Sequence, residues 1–262
     1  MSVLFSVIAG LLIGSFLNVV IVRLPAQLKH HWANGDQSTA PPGLLRPASH
    51  CPQCKTVIRW QDNIPIIGWL KRRGVCLRCQ QAISLRYPFI ELLTALSFGL
   101  IAWQTQGGMP LLASLLLTAW LIALAAIDHD HFLLPDCLTL TGLWLGLLYA
   151  AGPGLLTPAE AIVGAAIGYL FLWTLNGAHQ LVTGDAGMGH GDFKLFAMIG
   201  AWLGPWLLPM VLMLAAGGGA LLAIARIAQG KATRKDPMPF GPWLAGAGWI
   251  GLLFNDTLPF FA

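Results

Sequence analysis

Four cysteines stand in two C-x-x-C pairs, Cys51-Pro-Gln-Cys54 and Cys76-Leu-Arg-Cys79, with 21 residues between the pairs. Each pair can turn tightly enough to aim two thiolates at one point, and two such turns close a tetrahedral zinc site of four sulfurs. A closed four-sulfur site has no open coordination position, so a structural zinc is expected. The competing reading is two disulfides, which a reducing compartment disfavours. The fifth cysteine, Cys137, reads as a small buried apolar residue.

Carboxylates are the second source of chemistry. The chain is 56% hydrophobic and only 10% charged, so an acid beside an apolar run is a rare event. Ionisable groups in or at the edge of membrane spans are costly and usually functional. Asp128 ends the apolar run in LAAIDHDHFLLPD, and Asp192 opens another in GMGHGDFKL, 64 residues later. Two carboxylates at one membrane depth can hold a single proton between them. The neutral partner then donates while the ionised one activates water, which is aspartic-protease chemistry. Asp192 at a helix start is expected to be the ionised base and Asp128 the protonated acid, although such groups titrate as a pair.

Gly187, Gly189 and Gly191 lead into Asp192 and lack side chains, so a substrate strand could approach their backbone and pair with it. A plain flexible loop is the bland alternative, and G-x-G-x-G lacks the spacing of a phosphate cradle. Asp136 follows Pro135 and reads as a helix cap, Asp130 as a solvated turn residue, and Glu160 as an outer-interface residue. Glu91 could line the site or bond between helices. A metal site built from His129, His131 and His190 is less favoured, because no H-E-x-x-H pattern is present.

The elements that must position these groups are apolar helices. Segments near 2–22, 88–104, 110–127, 136–151, 159–176, 193–204, 206–226 and 241–258 predict an all-α polytopic membrane protein with about eight transmembrane helices. The first segment lacks the basic lead of a cleavable signal and reads as a retained span. Ten of the 15 Lys and Arg lie between Arg23 and Arg86, and the other five are Lys194, Arg226, Lys231, Arg234 and Lys235. Eight spans place every one on a single side, the cytoplasmic side, with both termini outside. Merging segments six and seven would break that pattern.

The division is therefore 1–22 as first helix, 23–87 as cytoplasmic zinc-ribbon-like loop domain and 88–262 as membrane-embedded core. The loop carries ten basic residues against Asp36 and Asp62, which suits anionic lipid head groups. No aromatic–basic stacking motif points to nucleic acid. The stretch from Asn34 to Pro47 reads as linker.

With these motifs in order along the chain, it resembles the bacterial type IV prepilin peptidases, prepilin leader peptidase/N-methyltransferases of the GxGD class of intramembrane aspartic proteases. GSFLNVVIVRLP (14–25), CPQC…NIPIIGWL…CLRC (51–79), ISLRYPFIELLTAL (83–96), IDHDHFLLPD (127–136), GMGHGDFKL (187–195) and PFGPWLAGAG (239–248) carry the likeness. The resemblance implies that Asp128 and Asp192 are the catalytic pair. It implies prepilin or type II secretion pseudopilin substrates, cut after the glycine that ends a short basic leader. It implies location in the bacterial inner membrane, with the cut at the cytoplasmic face. It also implies N-methylation of the new N-terminus by S-adenosylmethionine; Asn18, Arg23 and the 23–87 loop are where to look for that activity. A transporter or channel using the acids as a proton or cation relay, and a noncatalytic assembly protein docking through its zinc loop, are the alternatives.

Overall fold

The computed structural model of the chain describes residues 2–34, 41–105, 107–185, 187–233 and 236–254. Asp36, Arg234, Lys235, residues 35–40 of the expected linker and residues 255–258 of the expected last span lie outside them. The described residues are helical, with two isolated β-bridges and no strand.

Each apolar segment forms a helix: α1 (Val3–Asn34), α3 (Arg86–Gln104), α4 (Gly108–His131), α5 (Asp136–Ala151), α6 (Pro158–Thr183), α7 (His190–Leu203), α8 (Leu208–Ala228) and α9 (Gly241–Phe254). A short helix, α2 (Ile67–Lys71), lies in the cysteine loop. Four of them, α1, α4, α6 and α8, are long and apolar enough to cross a bilayer, and α5 and α9 are shorter apolar helices. Leu4, Trp103, Trp144, Trp173 and Met213 stand exposed on helix surfaces. Apolar surface on that scale suits lipid rather than water. The chain is a multi-pass, all-α membrane protein. Gly204, with φ 75°, separates α7 from α8, as the charge pattern requires.

The chain divides into two compact units, Met1–Leu111 and Leu112–Ala262. In the first, α1 packs along α3 through glycines one turn apart. A Cβ on Gly10 would lie 2.7 Å from the Ala95 Cα, and one on Gly14 would lie 2.8 Å from the Glu91 Cα. This is the small-xxx-small contact by which helices approach in lipid. One turn further on, buried Asn18 donates from Nδ2 to the Gly14 and Tyr87 carbonyls at 3.3 and 3.0 Å.

The apolar run alone predicts an end to α1 near Val22, yet the helix continues to Asn34. Ala26, Gln27, Leu28 and Lys29 are good helix formers. The extension also binds the loop. Arg23 donates to the Gly43 and Pro47 carbonyls, both at 2.8 Å, and Gln27 to the Pro42 carbonyl at 2.6 Å. The described part of the expected linker is thus tied to α1.

In the second unit α7 is the central post. From Phe193 to Leu203 almost every residue is buried, against α5, α6, α8 and α9. Gly164 of α6 and Gly200 of α7 meet backbone to backbone, with no room for a side chain on either. Gly142 of α5 accommodates Met198 and Trp120, and its carbonyl accepts the Trp202 indole N–H at 2.8 Å. A capping box opens α6: the Thr157 hydroxyl accepts the Glu160 N–H, and Glu160 accepts the Thr157 N–H. Glu160 therefore caps a helix.

Candidate active site and metal centre

Asp128 lies in the last turn of α4 and Asp192 in the first turn of α7; both are buried. Asp128 Oδ2 accepts the Gly241 backbone N–H at 2.9 Å. The Asp192 N–H donates to the Gly189 carbonyl at 3.1 Å. Leu134, six residues past Asp128, packs against Gly191, the residue before Asp192, so the two helix ends are neighbours. Burying an unpaired carboxylate is expensive.

The segment between α4 and α5 joins the two helix ends. Buried Leu134 packs against Gly191, where a Cβ would lie 2.8 Å from the Leu134 Cβ. Asp136 does not cap α5: Pro135 holds the cap position, and Asp136 pairs with Lys194 at 2.6 Å instead. That ion pair links the starts of α5 and α7, two residues past Asp192.

Of the three glycines, Gly187 and Gly189 precede α7, while Gly191 is already helical. None has positive φ, so space and not backbone angle is what a side chain would change. A Cβ on Gly187 would meet the His179 ring at 3.0 Å, and one on Gly189 would meet only Asp192 Oδ2, at 3.6 Å. His129 and His190 are exposed, and Cys137 is exposed on α5 rather than buried. Its place in the sequence did not reveal which face of an all-apolar helix turns outward.

The cysteine loop repeats one local fold twice. Cys51 N–H donates to the Thr56 carbonyl and Lys55 N–H to the Cys51 carbonyl, both at 3.0 Å. In the second pair Cys76 N–H donates to the Gln81 carbonyl at 2.9 Å and Gln80 N–H to the Cys76 carbonyl at 3.0 Å. Lys55 and Gln80 take equivalent positive φ values of 56° and 57°. Bridges His50–Val57 and Val75–Ala82 flank the two turns.

The sulfurs of Cys51 and Cys79, and those of Cys54 and Cys76, are 3.8 Å apart, and all four lie within 4.8 Å of one another. That is too long for disulfides. A tetrahedron with metal–sulfur bonds of about 2.3 Å has edges of about 3.8 Å, so the thiols fit zinc. They are the one such ligand group among the described residues.

Around the sulfurs, the Thr56 hydroxyl lies 3.3 Å from the Cys54 sulfur and accepts from Arg78 at 3.2 Å. Bonding from the Thr56 hydroxyl, then from its backbone, lowers the Cys54 thiol to about 6. Thiolate is the form that binds metal. Serine at any one of the four positions is expected to remove about one zinc per chain, measured by metal analysis of the purified protein. A wild-type chain free of zinc would end this assignment.

Glu91 settles as a latch within the first unit. Its Oε2 accepts the Ile66 N–H at 2.7 Å. Ile66 has φ 62° and ψ −53°, and the Ile67 N–H donates to the Pro65 carbonyl at 2.6 Å, forming a γ-turn. Positive φ on a β-branched residue is strained. Nearby, Asp62 pairs with Arg72 at 2.5 Å, and the Arg72 bond holds its carboxyl below the usual carboxylate range. Glu91→Leu is expected to lower stability by about 1–3 kcal/mol, because the Ile66 N–H loses its acceptor. Glu91→Gln keeps an acceptor oxygen and should cost less than half as much. Equal losses of thermal stability in the two variants would refute the latch.

Several working contacts carry no local signal in the sequence. The Gly241–Asp128, Lys194–Asp136 and Glu91–Ile66 contacts join residues 113, 58 and 25 positions apart. Proline on either side of Phe240-Gly241 was the one hint at the first.

Fold and site together define a polytopic helical membrane protein with a buried carboxylate pair at one end of its second unit and a four-thiol knuckle in its first. Among known proteins, residues 8–105 match the Bacterial Peptidase A24 N-terminal domain, and residues 115–224 match the Type IV leader peptidase family. The chain is 48% identical to the prepilin leader peptidase/N-methyltransferase of Aeromonas hydrophila, over 95% of this chain and 89% of that protein. It is 44% identical to that of Stutzerimonas stutzeri, over 98% and 92% of the two chains. It is 43% identical to that of Neisseria gonorrhoeae, over 96% and 90%. No solved structure matches it. The chain belongs to the type IV leader peptidase family, among its prepilin leader peptidase/N-methyltransferases.

Proposed function

We propose that the chain is a prepilin leader peptidase and N-methyltransferase whose peptidase centre is Asp128 and Asp192. The observation that carries this reading is the burial of those two carboxylates at neighbouring helix ends, the end of α4 and the start of α7, where Leu134 packs against Gly191. One carboxylate takes a proton from water as the water oxygen attacks the scissile carbonyl. The protonated partner gives its proton to the leaving nitrogen. The products are a leader ending in a glycine carboxylate and a chain with a free amine.

The substrate is a type IV prepilin or type II secretion pseudopilin. Its basic leader stays in the cytoplasm while its apolar helix lies in lipid, so the scissile bond falls at the cytoplasmic interface. The positive charge of the 23–87 loop, resting on anionic lipid, sets the same orientation in the bacterial inner membrane. Gly189, whose Cβ position meets only Asp192 Oδ2, offers open backbone beside Asp192 for an extended leader, between Gly187 and Gly191.

Methylation follows cleavage. The new amine takes one methyl group, and S-adenosylmethionine supplies it when bound. No residue is assigned to that cofactor, because Asn18 is engaged by α3 and Arg23 by the loop. The family assignment displaces the transporter reading.

The test is a peptide with a basic leader, a Gly–Phe junction and an apolar helix, incubated with purified protein with and without S-adenosylmethionine. Cleavage is expected in both cases and methylation only with the donor. An intact peptide in both would overturn the proposal.

A further inference from the structure

The donor to Asp128 lies on a helix whose described residues carry no titratable group. Gly241 is the first residue of α9, and amides at a helix start have no partner inside the helix. Pro242 follows and has no N–H. The Trp243 and Leu244 amides both turn back to the Phe240 carbonyl at 3.1 Å. The Gly241 N–H alone is left over from this turn, and it points at Asp128 Oδ2, 2.9 Å away in a buried setting.

The position has no room for a side chain, and what a side chain would strike is the carboxylate itself. A Cβ on Gly241 would lie 2.6 Å from Asp128 Oδ2, 2.9 Å from its Cγ and 3.0 Å from its Cβ. Further along the same helix, glycines seat α9 against α7, which carries Asp192. A Cβ on Gly248 would lie 3.0 Å from Ile199 Cδ1, and one on Gly251 would lie 2.9 Å from Leu203 Cδ1. One helix therefore grips the first aspartate by an amide and the second aspartate's helix by close packing.

We infer that Gly241 is a positioning residue for leader cleavage, its amide holding the Asp128 carboxylate in register with Asp192, and that α9 is the strut between them. The inference rests on the proposed aspartate pair. It assigns no contact with substrate to Gly241.

The test uses the full chain in detergent with the leader peptide. Three variants are compared: Gly241→Ala, an ester in place of the amide at 241 (glycolic acid for glycine), and Gly246→Ala as a control. The ester removes the N–H and adds no side chain. Gly246 has no atom within 4 Å of its Cβ position.

The ester and Gly241→Ala are each expected to lower kcat by about 100-fold, the scale of displacing a reacting group by about 1 Å. KM should stay within about twofold, as for an interaction made at the reacting groups. Methylation of a substrate already cleaved should be unchanged in both. Gly246→Ala should match wild type. An ester variant with wild-type kcat would overturn the inference, as would a loss of methylation in step with cleavage in the ester variant, since that marks general damage.

Asp128→Asn is assayed alongside. If it still cleaves, the aspartate reading itself falls and the inference with it. If it is inactive while the ester variant is normal, the aspartate reading stands and the role of Gly241 alone falls.

Discussion

Asp128→Asn and Asp192→Asn, made separately, are each expected to lower leader cleavage by about 10⁴-fold, the upper range for loss of a proton-transferring group. The substitution changes little but the chemistry. Asparagine keeps the volume of aspartate, and its carbonyl oxygen can still accept the Gly241 N–H that Asp128 accepts at 2.9 Å. What it cannot do is take or give the proton. Neither variant should lose its place in the membrane, and each should still methylate a substrate supplied in cleaved form. Because the two carboxyls act as one unit, the double variant should be no worse than either single one. Wild-type-like cleavage by either single variant would show that the pair is not the catalytic centre.

The second large effect is expected at Gly191. Valine there should lower cleavage by at least about 100-fold, because displacing a reacting group by about 1 Å has that consequence. The cause lies inside the protein. A Cβ at 191 would stand 2.8 Å from the Leu134 Cβ, and valine adds two methyl groups beyond it. Relief must come from the first turn of α7, which holds Asp192. Gly191→Ala should lose less, about tenfold, and regain most of it when combined with Leu134→Gly. Gly189→Ala, facing only Asp192 Oδ2 at 3.6 Å, should be milder still. If the Leu134 change rescues nothing, Gly191 serves an approaching substrate and not the packing of α7.

Much of this arrangement was legible in the sequence for a local reason. The cysteine spacing declares its geometry because each pair is a single turn, closed by bonds within six residues, as Cys51 to Thr56 is. Asp128 and Asp192 stood out because acids are scarce beside apolar runs. The helices followed from the apolar segments. What remained hidden depends on how helices face one another. In lipid the outward side of a helix is as apolar as the inward one, so the pattern did not reveal that Cys137 is exposed. Hydropathy also misses a helix that outlasts its apolar stretch, as α1 does beyond Arg23. Gly241 was least readable of all, because its contribution is a backbone N–H and an absent side chain.

The starts of α5, α7 and α9 bear on what surrounds the two acids. α5 and α7 have 16 and 14 residues, and the described part of α9 has 14. At 1.5 Å per residue, 14 residues span about 21 Å, against a hydrocarbon core of about 30 Å. All three start where the carboxylates lie: α5 at Asp136, α7 beside Asp192, and α9 at Gly241. Three helix starts thus gather at one rim, and their positive dipole ends favour negative charge at the level of Asp128 and Asp192.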